Sequence, residues 1–362
     1  MSRRIVVLAD VGGDDFHVGD QAMLDANLAL LGEHLPDAEV TVHGRDATCA
    51  ELRLAASTAD AVLLSGGGNL SSTWPHLLGQ RIALLEAAAA HGVPVVTGGQ
   101  TIGPVIDEPR RSRLAAALAT VEVLGVRERP SALLALDLGV SADRLAHQVD
   151  DAFWLEGEAP EDPGLRRFAA DGFVAVTLDG SYAAEPARPG LQSIAAQVAA
   201  VAAGLGLPVL AIPHVGRLGS REGDDPDAGR RFVSLAALAG ARAHLAAVPT
   251  VPEAVWLHRR ASLTVSSRYH PLVFGSAAGV PCLGIARDDY TAIKLGGALA
   301  HVGEERWVQP SATAEAGGLL AAVAPLLDGR SASAAGRDAA LRRIGAEEEA
   351  RRTRVVDVLR GA

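Results

Sequence analysis

Short apolar runs alternate with longer amphipathic ones along almost the whole chain, and no other feature limits the fold as much. Ile5–Ala9, Val40–His43, Ala61–Leu64, Val93–Thr97 and Val123–Val126 are mostly continuous in apolar residues and bounded by Gly, Pro or Asp. A strand covered by helices on both faces reads this way, because neither side can be polar. Between these runs, Gln21–Leu35, Leu77–His91 and Arg110–Thr120 carry apolar positions at helical spacing. Strand, helix, strand in repetition predicts a doubly wound parallel α/β sheet.

The pattern breaks at Asp150–Gly164, where acidic residues, prolines and glycines cluster, and then restarts. Phe173–Leu178, Val209–Pro213, Ser262–Ser266 and Cys282–Ala286 read as strands, with helices over Gln192–Leu205, Pro252–Arg260 and Leu272–Ala278. A chain of 362 residues exceeds the usual single-domain size. Two Rossmann-like α/β domains are therefore expected, over 1–160 and 161–336. A charged C-terminal helix over 337–362 would follow, centred on Arg337–Leu359, its charge run a solvated face. Ligands of open α/β sheets bind beyond the carboxyl ends of the strands, so two such domains are expected to line an inter-domain cleft.

Composition excludes several classes. The net charge of −10 argues against a general nucleic-acid binder, which needs a basic surface. No apolar run reaches the roughly 18 residues of a membrane span, and Asp10, Asp14 and Asp15 interrupt the first apolar stretch too early for a signal peptide. Cys49 and Cys282 show neither CxxC nor Cys/His spacing, so no disulfide framework or zinc site is implied. A soluble cytoplasmic protein with no transmembrane segment is expected. A homo-oligomer is compatible with the sequence.

Six segments at strand exits could carry chemistry. In Gly12–Asp20, His17 could serve as a general base towards an acceptor hydroxyl. Asp20 reads equally as the N-cap of the following helix. The segment lacks both Walker A and GxGxxG spacing. Gly66, Gly67 and Gly68, followed by Asn69, either turn amide groups towards an anion or form a tight turn. Gly98 and Gly99 precede Gln100 in a second exit of the same kind. Arg127 at the next exit can point into a cleft or simply pair with Glu128. His214 and Arg217 follow a strand of the second domain, where a lone histidine is more often structural.

The strongest segment is Ser266-Ser267-Arg268-Tyr269-His270-Pro271. It closes a strand and opens a helix whose N-terminus favours an anion. Arg268 can grip carboxylate or phosphate bidentately, and His270 can give or take a proton beside it. Of the 33 basic residues, 32 are arginine and one is Lys294, 24 residues after His270. A lone lysine in an arginine-rich chain is either an accident of the surface or a site where only a compact ammonium fits.

These residues are also where the chain resembles the polysaccharide pyruvyl transferase family. The resemblance runs through His17-Val18-Gly19-Asp20, Gly66-Gly67-Gly68, Gly99-Gln100-Thr101-Ile102-Gly103-Pro104, Arg127-Glu128-Arg129-Pro130-Ser131 and Asp150-Asp151-Ala152-Phe153. It continues through Arg268-Tyr269-His270 and Gly279-Val280-Pro281 to Lys294, in order over roughly residues 10 to 300. His17 stands where the family usually has asparagine.

The resemblance implies two domains in a GT-B-type arrangement and transfer of the pyruvyl unit of phosphoenolpyruvate to two hydroxyls of a sugar. The product is a cyclic ketal, phosphate is released, and neither metal nor cofactor takes part. It assigns His270 as general acid towards the donor's methylene carbon and Arg268 and Lys294 as donor cations, with Tyr269 beside them and Arg127 completing the clamp. His17, Asp20, Asn69 and Gln100 would recognise the acceptor, a sugar, lipid-linked glycan or natural product. Three rivals stand beside this reading. One is a glycosyltransferase using a nucleotide sugar, with Asp288 or Asp289 on the ribose. The others are a member acting on a small natural product and a member without catalysis.

Overall fold

The computed structural model describes residues 2–183 and 189–361, and the chain divides into two compact units. Met1–Gly13, Asp20–Ala152 and Arg342–Ala362 form the first; Asp14–Gly19 and Phe153–Leu341 form the second. The strands are β1 (Arg4–Leu8), β2 (Phe16–His17), β3 (Glu39–His43), β4 (Ala61–Leu64), β5 (Gly67–Leu70), β6 (Val95–Thr97), β7 (Gln100–Ile102), β8 (Leu124–Val126) and β9 (Leu145–His147). They continue with β10 (Val174–Thr177), β11 (Val209–Ala211), β12 (Val215–Gly216), β13 (Ala243–Leu245), β14 (Leu263–Ser266), β15 (Cys282–Ala286) and β16 (Val308–Pro310). The α-helices are α1 (Val18–His34), α2 (Cys49–Thr58), α3 (Pro75–Ala90), α4 (Arg110–Leu118), α5 (Arg129–Asp137), α6 (Pro163–Phe168) and α7 (Pro189–Leu205). After them come α8 (Asp224–Leu238), α9 (Val251–Arg260), α10 (Tyr269–Ala277), α11 (Asp289–Ala300), the single turn α12 (Ser311–Thr313) and α13 (Leu319–Arg360).

The first unit holds two parallel sheets, ordered β3-β1-β4-β6 and β5-β7-β8-β9. A parallel bridge from Val96 to Val123 joins them. The second unit holds one six-stranded sheet, β13-β11-β10-β14-β15-β16, parallel throughout. Leaving out the short β12, its strands lie third, second, first, fourth, fifth, sixth, the order of a dinucleotide-binding Rossmann sheet. The winding reverses between β10 and β14, and that crevice is where such sheets bind ligands.

The apolar runs behave as expected of strands buried on both faces. Val6 and Leu8 of β1 enter one core while Ile5 and Val7 enter another. In β10, Val174 and Val176 face one cluster and Ala175 the opposite one. Helix starts differ from the sequence reading. α10 begins at Tyr269, ahead of the expected Leu272, because Pro271 falls in the first turn, where its missing N–H costs nothing. α13 begins at Leu319, well before Arg337, with Pro325 inside it. Leu319, Ala322, Val323 and Leu326 are packed into the second unit's core, and this burial outweighs the poor helix propensity of the following segment.

Candidate functional site

At the switch point of the second unit, Thr177 of β10 and Ser266 of β14 lie opposite each other. Just beyond them Ser267 Oγ donates to Asp179 at 2.8 Å and accepts from the Asp179 amide at 2.8 Å. Burial works against ionisation of Asp179, but hydrogen bonds from Ser181 and Ser267 and the charge of Arg268 outweigh it and hold the carboxyl below its ordinary value. Arg268 is the N-cap residue of α10, which has no side-chain cap. Its Nε and Nη2 donate to the two oxygens of Asp225 at 3.1 and 2.6 Å. Asp225 sits in the first turn of α8, fully buried, and also accepts from the amides of His214 and Val215.

Tyr269 gathers the next residues. Its ring, 7 % exposed, meets the His270 imidazole edge-on at 5.1 Å, while Lys294 Nζ lies 5.5 Å from its centroid. Lys294 is also 5.0 Å from the Tyr290 ring, so it stands between two aromatic faces that attract a cation. His270 is buried against Phe274, and a Cβ on Gly19 would overlap its imidazole. Glycine at 19 is therefore required by the approach of the His270 ring. Asp20 does not take the N-cap role that its sequence leaves open beside a substrate role. α1 starts at Val18, and Asp20 in its first turn accepts from Arg45 at 3.1 Å.

His17 was assigned with the first domain's acceptor residues, but it belongs to the second unit. β2 pairs antiparallel with β12, placing His17 opposite Val215. His214 is 1 % exposed and its Nε2 lies 2.9 Å from His258 Nε2, so it is a structural histidine and no direct substrate contact. Arg217, three residues on, is exposed. Burial lowers His258 to about 3. It also pushes His214 well down, helped by the neighbouring charges of His258, His270, His17 and Arg268. Both imidazoles are neutral in the fold but take up protons near pH 6.5 once unfolded. The His258 stabilisation is thus complete above about pH 6.5 and is lost as pH falls towards 3, by up to about 1.4 kcal/mol per pH unit, and His214 contributes in the same direction. Urea midpoints measured from pH 7.5 to 4.5 should fall along this slope. His258→Phe should flatten it, and an unchanged slope would show that the pair is not its source.

In the first unit the glycine turns have a different partner from the one expected. Asp151 brings its carboxylate to the amides of Gly66 and Gly99 at 3.1 and 3.2 Å, with Asn27 and Gln148 donating to it as well. Cβ atoms at Gly66 or Gly98 would run into that carboxylate. The anion cradled by these turns is a side chain of the protein itself. Gly67 packs on Asp10 and Gly68 is buried in β5. Gln100, 2 % exposed, donates to the Ser65 carbonyl at 2.8 Å and so braces two strand exits without facing an acceptor. Asn69 donates to Asp10, which also receives the buried guanidinium of Arg81.

Arg127 likewise departs from the expected donor clamp. It is 1 % exposed, bonded to Asp150 at 2.6 Å, to Glu128 at 3.2 Å and to Thr101 at 3.0 Å. Ser131 donates to the same Glu128 at 2.9 Å. The Arg-Glu-x-x-Ser segment is thus an internal network. Asp179, Asp225, His258 and Arg287 carry no signal in the sequence, and Asp10 stands out there only as a break in the first apolar run. Asp288, a candidate ribose ligand, caps α11 through Thr291. Among the described residues no group of three or more His, Cys, Asp or Glu is arranged to hold a metal ion, and no described helix is long and apolar enough to cross a membrane.

Comparison with solved structures supports the architecture. A UDP-N-acetylglucosamine 2-epimerase (so described, as putative, from Listeria monocytogenes) superposes with a TM-score of 0.62 at 14% identity, over 95% of each chain. HepE of Anabaena, solved with UDP and glucose, gives 0.59 at 12% identity, over 99% of this chain and 100% of that one. UDP-GlcNAc 2-epimerase from Neisseria meningitidis gives 0.55 at 11%, over 90% and 91%. At these identities the likeness shows the fold, two Rossmann-like units of the GT-B type. No curated protein matches the sequence significantly. The family model described as polysaccharide pyruvyl transferase matches residues 17–289, ending just short of Lys294. With three quarters of its length matched in this way, the chain belongs to the polysaccharide pyruvyl transferase family.

Proposed function

We propose that this chain transfers the pyruvyl group of phosphoenolpyruvate to two hydroxyls of a sugar or glycoconjugate, forming a cyclic ketal and releasing phosphate. The observation that carries the reading is the meeting of His270 and Lys294 on the ring of Tyr269, next to Arg268 at the uncapped start of α10. A titratable group and two cations converge at the ligand-binding edge of a Rossmann sheet, and a small donor bearing carboxylate and phosphate suits them. His270 delivers a proton to the methylene carbon as the first hydroxyl oxygen bonds to the adjacent carbon. It is recharged by the proton that hydroxyl releases. The second hydroxyl then displaces phosphate, which leaves with the remaining proton.

The donor is tested by thermal shift and phosphate release with phosphoenolpyruvate, set against UDP-sugars. Stabilisation by UDP-sugars alone would favour the nucleotide-sugar reading, in line with the ligands named for the structural neighbours. Lys294 gives a sharper test. Lys294→Ala should weaken phosphoenolpyruvate binding about tenfold or more. Lys294→Arg should recover only part of that, because a planar guanidinium spreads its charge over a fixed fork of donors and does not reproduce the compact point charge of an ammonium. Equal donor affinity in wild type and Lys294→Arg would reduce the lysine to an ordinary surface charge.

A further inference from the structure

The exits of β10, β14 and β15 lie side by side, with Thr177, Ser266 and Gly284 in one row of the sheet. Each exit contributes a charge: Asp179, Arg268 and Arg287. The two arginines are held very differently. Arg268, 27 % exposed, makes a two-pronged pair with a carboxylate that is wholly buried. Arg287 is 45 % exposed and makes single contacts, 3.3 Å to Asp179 and 3.5 Å to Asp288. Asp179 itself is only 14 % exposed, but a single long contact from a half-exposed guanidinium contributes less than a two-pronged pair. Exchanging it for a ligand anion therefore costs less than pulling Arg268 from Asp225, which would strand a buried charge. Asp179 can release Arg287 without being abandoned, since Ser267, Ser181 and the field of Arg268 continue to stabilise it.

We propose that Arg287 is a third cation of the donor site, beside Arg268 and Lys294, leaving Asp179 and Asp288 to take phosphate or carboxylate oxygens of the donor. Arg268 then acts as the fixed cation and Arg287 as the arm that closes on the ligand. The inference rests on phosphoenolpyruvate being the donor. A planar fork at the end of a long side chain suits bidentate contact with either anionic group.

Calorimetric binding of phosphoenolpyruvate, with inorganic phosphate as competitor, is to be compared for wild type, Arg287→Met, Arg287→Lys and Arg242→Met. Arg242 is exposed and precedes β13, at the opposite end of the sheet. Arg287→Met should weaken donor binding about ten- to a hundredfold. Turnover at saturating donor should fall by less than about threefold, since uniform binding is what is lost. Arg287→Lys should restore part of the affinity and Arg242→Met should match wild type. Wild-type affinity in Arg287→Met would overturn the assignment while leaving the donor intact. So would an equal loss in Arg242→Met, which would reveal a mere net-charge effect. Absence of phosphoenolpyruvate binding by the wild type would overturn the donor reading itself and this inference with it.

Discussion

Replacing His270 by alanine should leave phosphoenolpyruvate binding within a few-fold of wild type and cut turnover by about 10²–10⁴. A general acid is needed only as the methylene carbon takes its proton, so its loss appears in kcat and scarcely in donor affinity. Because His270 is also packed on Tyr269, Phe274 and Gly19, alanine leaves a gap. His270→Gln fills much of it but cannot deliver the proton. Both variants should lose turnover alike in single-turnover phosphate release, with donor binding read by calorimetry. Turnover at the wild-type rate in His270→Gln would make the imidazole a packing element and send the search for the proton elsewhere.

The largest loss of stability should come from Arg127→Ala, about 3–5 kcal/mol. The substitution takes from the buried carboxylates of Asp150 and Glu128 the guanidinium that both bond, and it removes two donors from the Thr101 hydroxyl, which still donates to Glu128. Arg127→Met should lose the same charges while keeping more of the packing, so the two variants should fall together in urea midpoint. If instead the midpoint holds and donor affinity drops, Arg127 reaches the ligand and the internal network is secondary.

Much of the fold could be read in advance because buried parallel strands leave an unambiguous trace: β1, β4, β10 and β15 are nearly continuous apolar runs. Arg268 and His270 were legible for a local reason, being a cation and a titratable group at a strand-to-helix turn. Asp225 left no such trace. It lies 43 residues from Arg268, in an acidic stretch to which the sequence pattern assigns no element and which folds as a helix with Phe232 in the core. Arg287 and Asp179 are 108 residues apart, and only the strand order makes them neighbours. The glycine turns read either as anion sites or as tight turns, and the amides of Gly66 and Gly99 hold an internal carboxylate. Nothing local to Gly66 or Gly99 shows that the anion arrives 85 and 52 residues later, as Asp151.

That internal carboxylate changes how a mutational scan of this chain should be interpreted. Activity will vanish on substitution at Gly66, Gly98 or Asp151, and three hits at the ends of sheet strands resemble a substrate footprint. They are instead parts of one plug, whose failure opens the seam between the two halves of the first unit's sheet. Such defects are thermal. Growth or assay at low temperature, or a globally stabilised background, should recover them, whereas a lost proton donor is lost at every temperature. Sorting variants by temperature before sorting them by activity would separate the scaffold from the chemistry, without a bound ligand in view.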